Sequence, residues 1–275
     1  MIWRKALDAL FSIFFPAPCR ICGEMLLTAS PVPICDPCRD SFTKICGPAC
    51  QRCGRPFISP VAAQMQVPLC YLCRRGVYAF DLARSFAAYN DAMARAIILL
   101  KYEAVTRLGN WFAGGLLELV SQHPETIPAD VVVPVPLHPL RQRERGYNQA
   151  ELIARPLAKL LHLPLGSYLL VRTKPRPDKH RLTRQERWRT VRGAYATRQG
   201  TRVDKLRILL VDDVFTTGAT LDACSRALRG AGASRVVGLT VARVLPNWSP
   251  GGPGTASGEQ SIEANQSVAA DILHK

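Results

Sequence analysis

Two adjacent acids, Asp212 and Asp213, stand between a short apolar run and a loop rich in threonine. Residues 208–211 are all apolar, which suits a strand buried on both faces in the middle of a parallel sheet. A parallel strand delivers its chain to the carboxyl edge of the sheet, where open α/β folds bind their ligands. We therefore expect both carboxylates to face a ligand.

The loop after these acids combines hydroxyl side chains with a flexible glycine. Its residues are Thr216, Thr217, Gly218, Ala219 and Thr220. It leads into an amphipathic stretch over residues 221–229, which ends at Gly230. Backbone N–H groups at the start of such a helix can face an anion. The stretch therefore predicts a phosphate-binding loop beside the two acids.

Eight cysteines form four C-x-x-C pairs near the start of the chain. They are Cys19, Cys22, Cys35, Cys38, Cys50, Cys53, Cys70 and Cys73. Two thiolates separated by two residues can both reach one tetrahedral Zn²⁺ at about 2.3 Å, and two pairs complete one site. The pattern predicts one or two structural zinc ions, with the pairs used in sequence or interleaved.

A disulfide framework is the competing interpretation of these cysteines, but it is typical of small secreted domains, and the apolar start of the chain is a poor export signal. Repeated pairs without a thioredoxin-like context also argue against a redox role. The remaining cysteines, Cys46 and Cys224, are expected to be ordinary buried thiols.

The chain is strongly basic, with a formal net charge of +15 and a pI near 9.7. Residues 141–192 contain 14 Lys and Arg against four acids, so this one segment carries a net +10. Such a balance favours polyanionic partners, including nucleic acid. The charge is therefore concentrated in a region that can face a ligand.

Two parts of this basic segment are candidate anion contacts. Arg141, Arg143 and Arg145 alternate, so in an extended segment they would share one side and present guanidinium groups to phosphate. Residues 173–190 form a long polar stretch, typical of a lid or a disordered segment. We expect residues 185–191 to be partly helical, with Trp188 as the anchor. The alternative for each arginine is an ordinary solvated basic side chain.

The elements that must position these residues alternate between strand and helix patterns. Strands are predicted at 85–89, 130–135, 168–172, 206–211 and 236–242, and helices at 92–101, 106–122, 150–161 and 221–229. The chain is expected to divide into an amphipathic helix (1–18), a cysteine-rich zinc-binding module (19–76), an α/β domain (77–245) and a disordered tail (246–275). We expect a cytoplasmic protein, since no stretch is long and apolar enough to span a membrane.

The stretch ILLVDDVFTTGAT at residues 208–220 resembles the 5-phosphoribosyl-1-pyrophosphate (PRPP) loop of type I phosphoribosyltransferases. By that resemblance Asp212 and Asp213 hold the ribose hydroxyls and act in catalysis, and residues 216–220 wrap the 5′-phosphate. Val214 and Phe215 belong to the same PRPP-binding stretch.

The motif V-P-V-P followed by R-x-R-x-R-G-Y-N-Q, together with the cysteine pairs and the PRPP loop, resembles the ComF/GntX family. These bacterial phosphoribosyltransferase-like proteins are associated with natural transformation and use of external DNA. The resemblance extends from the first cysteine pair to about Arg243. It implies a type I phosphoribosyltransferase fold, a mainly parallel sheet flanked by helices, with a small zinc-ribbon-like module.

The resemblance also assigns ligands. PRPP would bind with Mg²⁺, and Val135, Pro136 and Leu137 would form the loop that faces its pyrophosphate. Contacts to pyrophosphate or nucleic acid would come from Arg141, Arg143, Arg145, Asn148, Arg181, Arg184 and Arg187. Thr216 stands where purine-salvage relatives place an aspartate, so a general base of that kind is absent.

Two functions from different classes fit this resemblance. The first is an enzyme that transfers a ribose 5-phosphate group from PRPP to an acceptor. The second is a non-catalytic competence accessory protein that binds single-stranded DNA and keeps a sensory or vestigial PRPP pocket. Partners of either would be PRPP, single-stranded DNA and competence proteins such as a DNA helicase.

Overall fold

A computed structural model describes residues 18–26, 32–57, 66–126, 128–175 and 182–245. The predicted N-terminal helix, apart from its last residue, and the predicted tail lie outside the described residues. Among those described, no helix is both long enough and apolar enough to cross a membrane.

Six strands and eight α-helices are present in the described residues, and we number each kind in chain order. The strands are β1 (Leu82–Ala88), β2 (Val131–Pro134), β3 (Leu170–Arg172), β4 (Tyr195–Thr197), β5 (Arg207–Phe215) and β6 (Arg235–Arg243). The helices are α1 (Asp36–Asp40), α2 (Tyr71–Arg74), α3 (Asp91–Tyr102), α4 (Leu108–Gln122), α5 (Pro139–Arg145), α6 (Gln149–Leu160), α7 (Arg184–Val191) and α8 (Ala219–Gly230). A short 3₁₀ turn, Pro124–Thr126, precedes β2.

The main sheet has four parallel strands in the order β1-β6-β5-β2. A separate antiparallel pair, β3 and β4, lies beside it. The predicted fold class is confirmed, because a parallel sheet flanked by helices is joined to a cysteine-rich N-terminal part. The predicted central strand is longer than expected, since β5 continues through the two acids to Phe215, which pairs with Arg243 of β6.

Alternate residues of β5 enter two different hydrophobic clusters on the two faces of the sheet. Leu209 and Val211 pack in the cluster that contains α3, α4 and α6. Ile208 and Leu210 pack in the cluster that contains α8 and the β3–β4 pair. A strand buried on both faces explains why its sequence is a continuous apolar run rather than an alternating one.

Helices α4 and α6 make a close contact on the first of these faces. Gly109, near the start of α4, lies against the backbone of Leu152 in α6. A Cβ placed on this glycine would stand 2.8 Å from the carbonyl carbon of Leu152. Gly114 of the same helix is exposed and has open space around it.

We predict that Gly109→Ala destabilises the protein by about 1–3 kcal/mol, because α4 must move away from a backbone group that cannot yield. Gly114→Ala is the matched control, and it should add up to about 1 kcal/mol of stability because alanine favours the helix. Urea unfolding of both variants makes the comparison. Equal stability of the two would show that this helix contact is loose.

Candidate anion and zinc sites

The two acids lie in the last part of β5, at the carboxyl edge of the sheet. Their side chains are buried, with Asp212 7% and Asp213 5% exposed. The Asp212 carboxylate accepts a hydrogen bond from the Asp213 backbone N–H, and the Asp213 carboxylate accepts one from Val214 N–H, each at 2.9 Å. The edge position predicted from the sequence is therefore the observed one.

A lysine that was not predicted from the sequence provides a positive charge beside this pair. Lys101, near the end of α3, forms an ion pair with Asp213. Burial alone would raise the pKa of Asp213, but the Lys101 ammonium holds it below its ordinary value. Burial and the neighbouring Asp213 raise the pKa of Asp212 well above its ordinary value. Of the two carboxyl groups, that of Asp213 is therefore the one that ionises more readily.

The predicted phosphate loop follows directly after β5. Gly218 caps α8 with a positive φ of 80°, a conformation that favours glycine. A Cβ at this position would also stand 2.6 Å from the Phe215 ring and 2.7 Å from the Tyr78 ring. The Tyr78 hydroxyl donates to the Thr217 carbonyl at 3.0 Å. The turn is thus fixed by packing, while Thr216 stays exposed.

An open cleft of about 250 Å³ lies next to the acids. Four of its lining residues are cationic, and one, Glu144, is acidic. The cations are Lys101, Arg141, Arg145 and Arg172. Leu137, from the loop predicted to face the pyrophosphate, also lines the cleft. This excess of positive charge suits a ligand with several negative charges.

The prediction that Arg141, Arg143 and Arg145 share one side of an extended segment is wrong. These residues belong to helix α5 (Pro139–Arg145), which Gly146 caps with a φ of 82°. Residues four apart share a face of a helix, whereas the residue between them lies on the other side. Arg141 and Arg145 therefore line the cleft, and Arg143 is exposed elsewhere.

Asn148 has a structural role that its contacts explain. Its side-chain oxygen accepts from Ala150 N–H at the start of α6, and its amide nitrogen donates to the Val135 carbonyl at 3.0 Å. These bonds hold Val135 and the following Pro136 beside the end of β5. The contact of Asn148 to pyrophosphate or nucleic acid stays a prediction.

The polar segment after β3 contains the expected short helix. Thr183 and Glu186 form a capping box at the start of α7, and Trp188 stacks on Tyr78 with ring centroids 6.1 Å apart. The predicted helix and its tryptophan anchor are confirmed. Arg184 is exposed, and Arg187 is half-buried and donates to the Leu182 carbonyl. Arg181 lies outside the described residues.

The eight paired cysteines form two groups of four, used in sequence. Cys19, Cys22, Cys35 and Cys38 make the first group, and Cys50, Cys53, Cys70 and Cys73 make the second. Within each group the sulfurs lie within 4.8 Å of one another. The interleaved alternative is therefore wrong. Cys224 is buried as expected, whereas Cys46 is exposed.

Backbone donors around the sulfurs fit a thiolate–metal centre. Cys35 N–H donates to the Cys19 sulfur at 3.4 Å, and Cys70 N–H donates to the Cys50 sulfur at 3.3 Å. Four clustered thiolates with such donors are the ligand set that tetrahedral zinc prefers. The two groups thus fit structural zinc, and each belongs to a different face of the sheet.

The second group is connected through Tyr78 to the predicted phosphate loop. Arg52, between its first two cysteines, donates to the carbonyls of Tyr78 and Phe80. Arg243 donates to the Cys53 carbonyl at 2.6 Å and places its guanidinium 3.8 Å from the centre of the Phe215 ring. The second cysteine group therefore supports Tyr78 and Phe215, the aromatic residues on which Gly218 packs.

Comparisons with known proteins bear on both parts of the chain. Residues 10–74 match the double zinc ribbon domain family. Competence protein ComFC of Bacillus subtilis is 30% identical over 76% of this chain and 84% of its own length. DNA utilization protein YhgH of Salmonella typhi is 28% identical over 84% of this chain and 98% of its own.

Solved structures give weaker similarities. Glutamine PRPP amidotransferase from B. subtilis is 20% identical with a TM-score of 0.32, over 59% of this chain and 32% of that one. Adenine phosphoribosyltransferase from Trypanosoma brucei is 13% identical with a TM-score of 0.33, over 65% of this chain and 81% of that one. Overlaps this weak show neither a shared activity nor a shared ligand.

We predict about two zinc ions per chain, one in each cysteine group. Replacing Cys22 and Cys38 by serine should remove one zinc, and replacing Cys53 and Cys73 should remove the other. Cys46→Ser is the matched control and should keep both, because this thiol belongs to neither group. Metal analysis of reduced, purified protein measures the outcome. Retention of two zinc ions by either double variant would contradict the assignment.

Proposed function

This chain belongs to the family of competence protein ComFC, and from that premise we propose that it binds PRPP and acts in the uptake or use of external DNA. The observation that carries the PRPP proposal is the arrangement at the end of β5. A buried acid pair is followed directly by the threonine-glycine loop, and Lys101 joins the pair to a cationic cleft. A ribose with phosphate groups at both ends has a group for each of the three.

Each part of PRPP has a matching group. The carboxyl groups of Asp212 and Asp213 can hydrogen-bond the ribose hydroxyls. The N–H groups at the start of α8 and the hydroxyls of the loop suit the 5′-phosphate. Arg141 and Arg145 suit the pyrophosphate. Mg²⁺ bound with PRPP would offset pyrophosphate charge, and the site offers the oxygen donors it prefers.

We further propose transfer of the ribose 5-phosphate group to an acceptor. The bond from ribose C1 to pyrophosphate breaks, and its electron pair leaves with the pyrophosphate. A lone pair of the acceptor forms the new bond to C1, and the acceptor then loses a proton. The cleft cations stabilise the charge on the leaving group. Thr216 cannot serve as the base, so the acceptor proton passes to solvent or to another group.

A cytoplasmic location is part of the proposal. Eight cysteines must remain thiolates to bind two zinc ions, and compartments that keep thiols reduced allow this. The free state of all ten cysteines is consistent with it.

The acid pair gives the test of PRPP binding. We predict that replacing both Asp212 and Asp213 by asparagine abolishes Mg²⁺-dependent PRPP binding, because asparagine keeps the shape but removes the carboxylate acceptors and the charge. Calorimetry at millimolar PRPP measures it, with thermal unfolding as the check on folding.

The matched control replaces two exposed acids, Asp40 and Asp204, by asparagine and so removes the same number of carboxyl groups. This control should bind PRPP like wild type. Binding by the Asp212/Asp213 variant as tight as that of wild type would place the ligand elsewhere.

A second candidate function, binding of single-stranded DNA, is favoured by the second zinc group. Residues 41–80 contain five Lys and Arg and no acid. Tyr71 is 65% exposed there, with the Arg75 guanidinium 5.5 Å from its ring centre. Exposed aromatic rings beside cations can stack bases while the cations contact phosphates. We propose this face, rather than half-buried Arg187, as the DNA contact.

We predict that Arg74→Gln with Arg75→Gln weakens binding of single-stranded DNA of any sequence. The plot of log affinity against log salt concentration should become flatter. The magnitude of its negative slope should decrease by about 1.4, or about 0.7 for each lost phosphate contact. Exposed Arg198 and Arg202, changed to glutamine, form the control and should leave the slope unchanged. Fluorescence anisotropy across a salt series decides. An unchanged slope in the Arg74/Arg75 variant would assign these arginines to ordinary surface charge.

A further inference from the structure

Lys101 lines the cationic cleft and also forms an ion pair with Asp213 of the acid pair. It lies near the end of α3. Its side chain is 22% exposed, and that of Asp213 is 7% exposed. The ammonium group is therefore in contact with a buried carboxylate while part of the side chain faces the cleft.

The Lys101 ammonium can donate hydrogen bonds to groups other than Asp213. A lysine ammonium carries three donors, and the ion pair with Asp213 occupies one side of the group. Burial alone would lower the pKa of Lys101, but Asp213 raises it above its ordinary value. The lysine thus stays charged at the wall of the cleft, next to the stacked pair formed by Tyr102 and Arg145, whose guanidinium is 4.8 Å from the ring centre.

The arginines of the cleft share its lining with one acidic residue, Glu144. Within the described part of the chain, no ion pair involves Arg141, Arg145 or Arg172. Arg145 donates to the Gln149 amide oxygen, and Arg172 donates to the Tyr195 hydroxyl and the Lys174 carbonyl. These neutral partners position the guanidinium groups without neutralising them. The guanidinium groups of Arg145 and Arg172 can therefore still attract an incoming anion.

We propose that Lys101 contacts the pyrophosphate of PRPP while it keeps its contact with Asp213. This inference rests on the proposed PRPP site and adds a residue to it. One ammonium shared by the ribose-binding acid and the leaving group would fix the distance between them. Lys101 would in this way hold ribose C1 and pyrophosphate in the relative position that transfer needs.

The test measures three Mg²⁺-containing probes separately: inorganic pyrophosphate, ribose 5-phosphate and PRPP. Lys101→Met should lower the affinity for pyrophosphate and for PRPP by about 10-fold to 100-fold, the range expected for one lost charged hydrogen bond. The affinity for ribose 5-phosphate, which lacks the pyrophosphate, should fall much less. Lys101→Arg should retain most of the pyrophosphate affinity. Lys159→Met, at an exposed position of α6, is the matched control and should change nothing.

Lys101→Met also leaves Asp213 buried without its counter-charge, which could disturb folding. The same lysine change is therefore made in an Asp213→Asn background, where no carboxylate is left unpaired. If Lys101 contacts pyrophosphate directly, Lys101→Met should still lower the affinity for pyrophosphate by about 10-fold or more relative to Asp213→Asn alone. Unchanged pyrophosphate affinity in that background, or equal losses for all three probes, would overturn the inference.

The outcomes separate this inference from the proposed function. If wild type binds pyrophosphate in a Lys101-dependent way but does not bind PRPP, the PRPP proposal fails and the lysine contact stands. If wild type binds both ligands independently of Lys101, only the lysine contact fails. If it binds neither, both fail.

Discussion

Two carboxylates buried side by side are the constraint on which the ligand edge of this protein depends. Desolvation and mutual repulsion oppose ionisation of both, and a single ammonium, that of Lys101, stabilises one charge. Such a pair costs stability compared with apolar residues of the same size. The pair lies at the carboxyl end of the central strand, the edge at which open α/β folds bind ligands.

Both cysteine groups strengthen the structure around this pair, from opposite faces of the sheet. The first is linked to α3, the helix that carries Lys101. Arg20 and Arg95 both pair with Glu103, and Arg95 also donates to the Arg20 carbonyl at 3.1 Å. The second supports the aromatic residues under the phosphate loop. Metal binding supplies folding free energy that a short, proline-rich segment cannot obtain from a core of its own.

The parts of the structure that could be predicted from sequence are those set by local patterns. The apolar run before Asp212 gave the central strand, the C-x-x-C spacing gave the cysteine groups, and the threonine-glycine turn gave the start of α8. Helix α5 was missed, although Pro139 at its first position and Gly146 after its end are recognisable helix boundaries. The alternation of arginines was given too much weight against those signals.

The remaining parts depend on contacts between distant segments. Lys101 looks like any basic residue in the last turn of a helix, and its pairing with Asp213 exists only because α3 ends beside β5. The position of Arg172 in the lining of the cleft likewise depends on tertiary structure, because this residue comes from the β3–β4 pair. β5 extends past the acids because β6 offers a partner as far as Arg243. No local periodicity contains this information.

The central claim is that one PRPP molecule spans the acid pair, the phosphate loop and the cationic cleft. A crystal structure of the zinc-loaded protein with PRPP and Mg²⁺ tests it most directly. The account predicts the ribose hydroxyls at Asp212 and Asp213, the 5′-phosphate at the start of α8, and the pyrophosphate among Lys101, Arg141 and Arg145. A ligand bound away from the end of β5, or bound with its pyrophosphate outside the cleft, would contradict it.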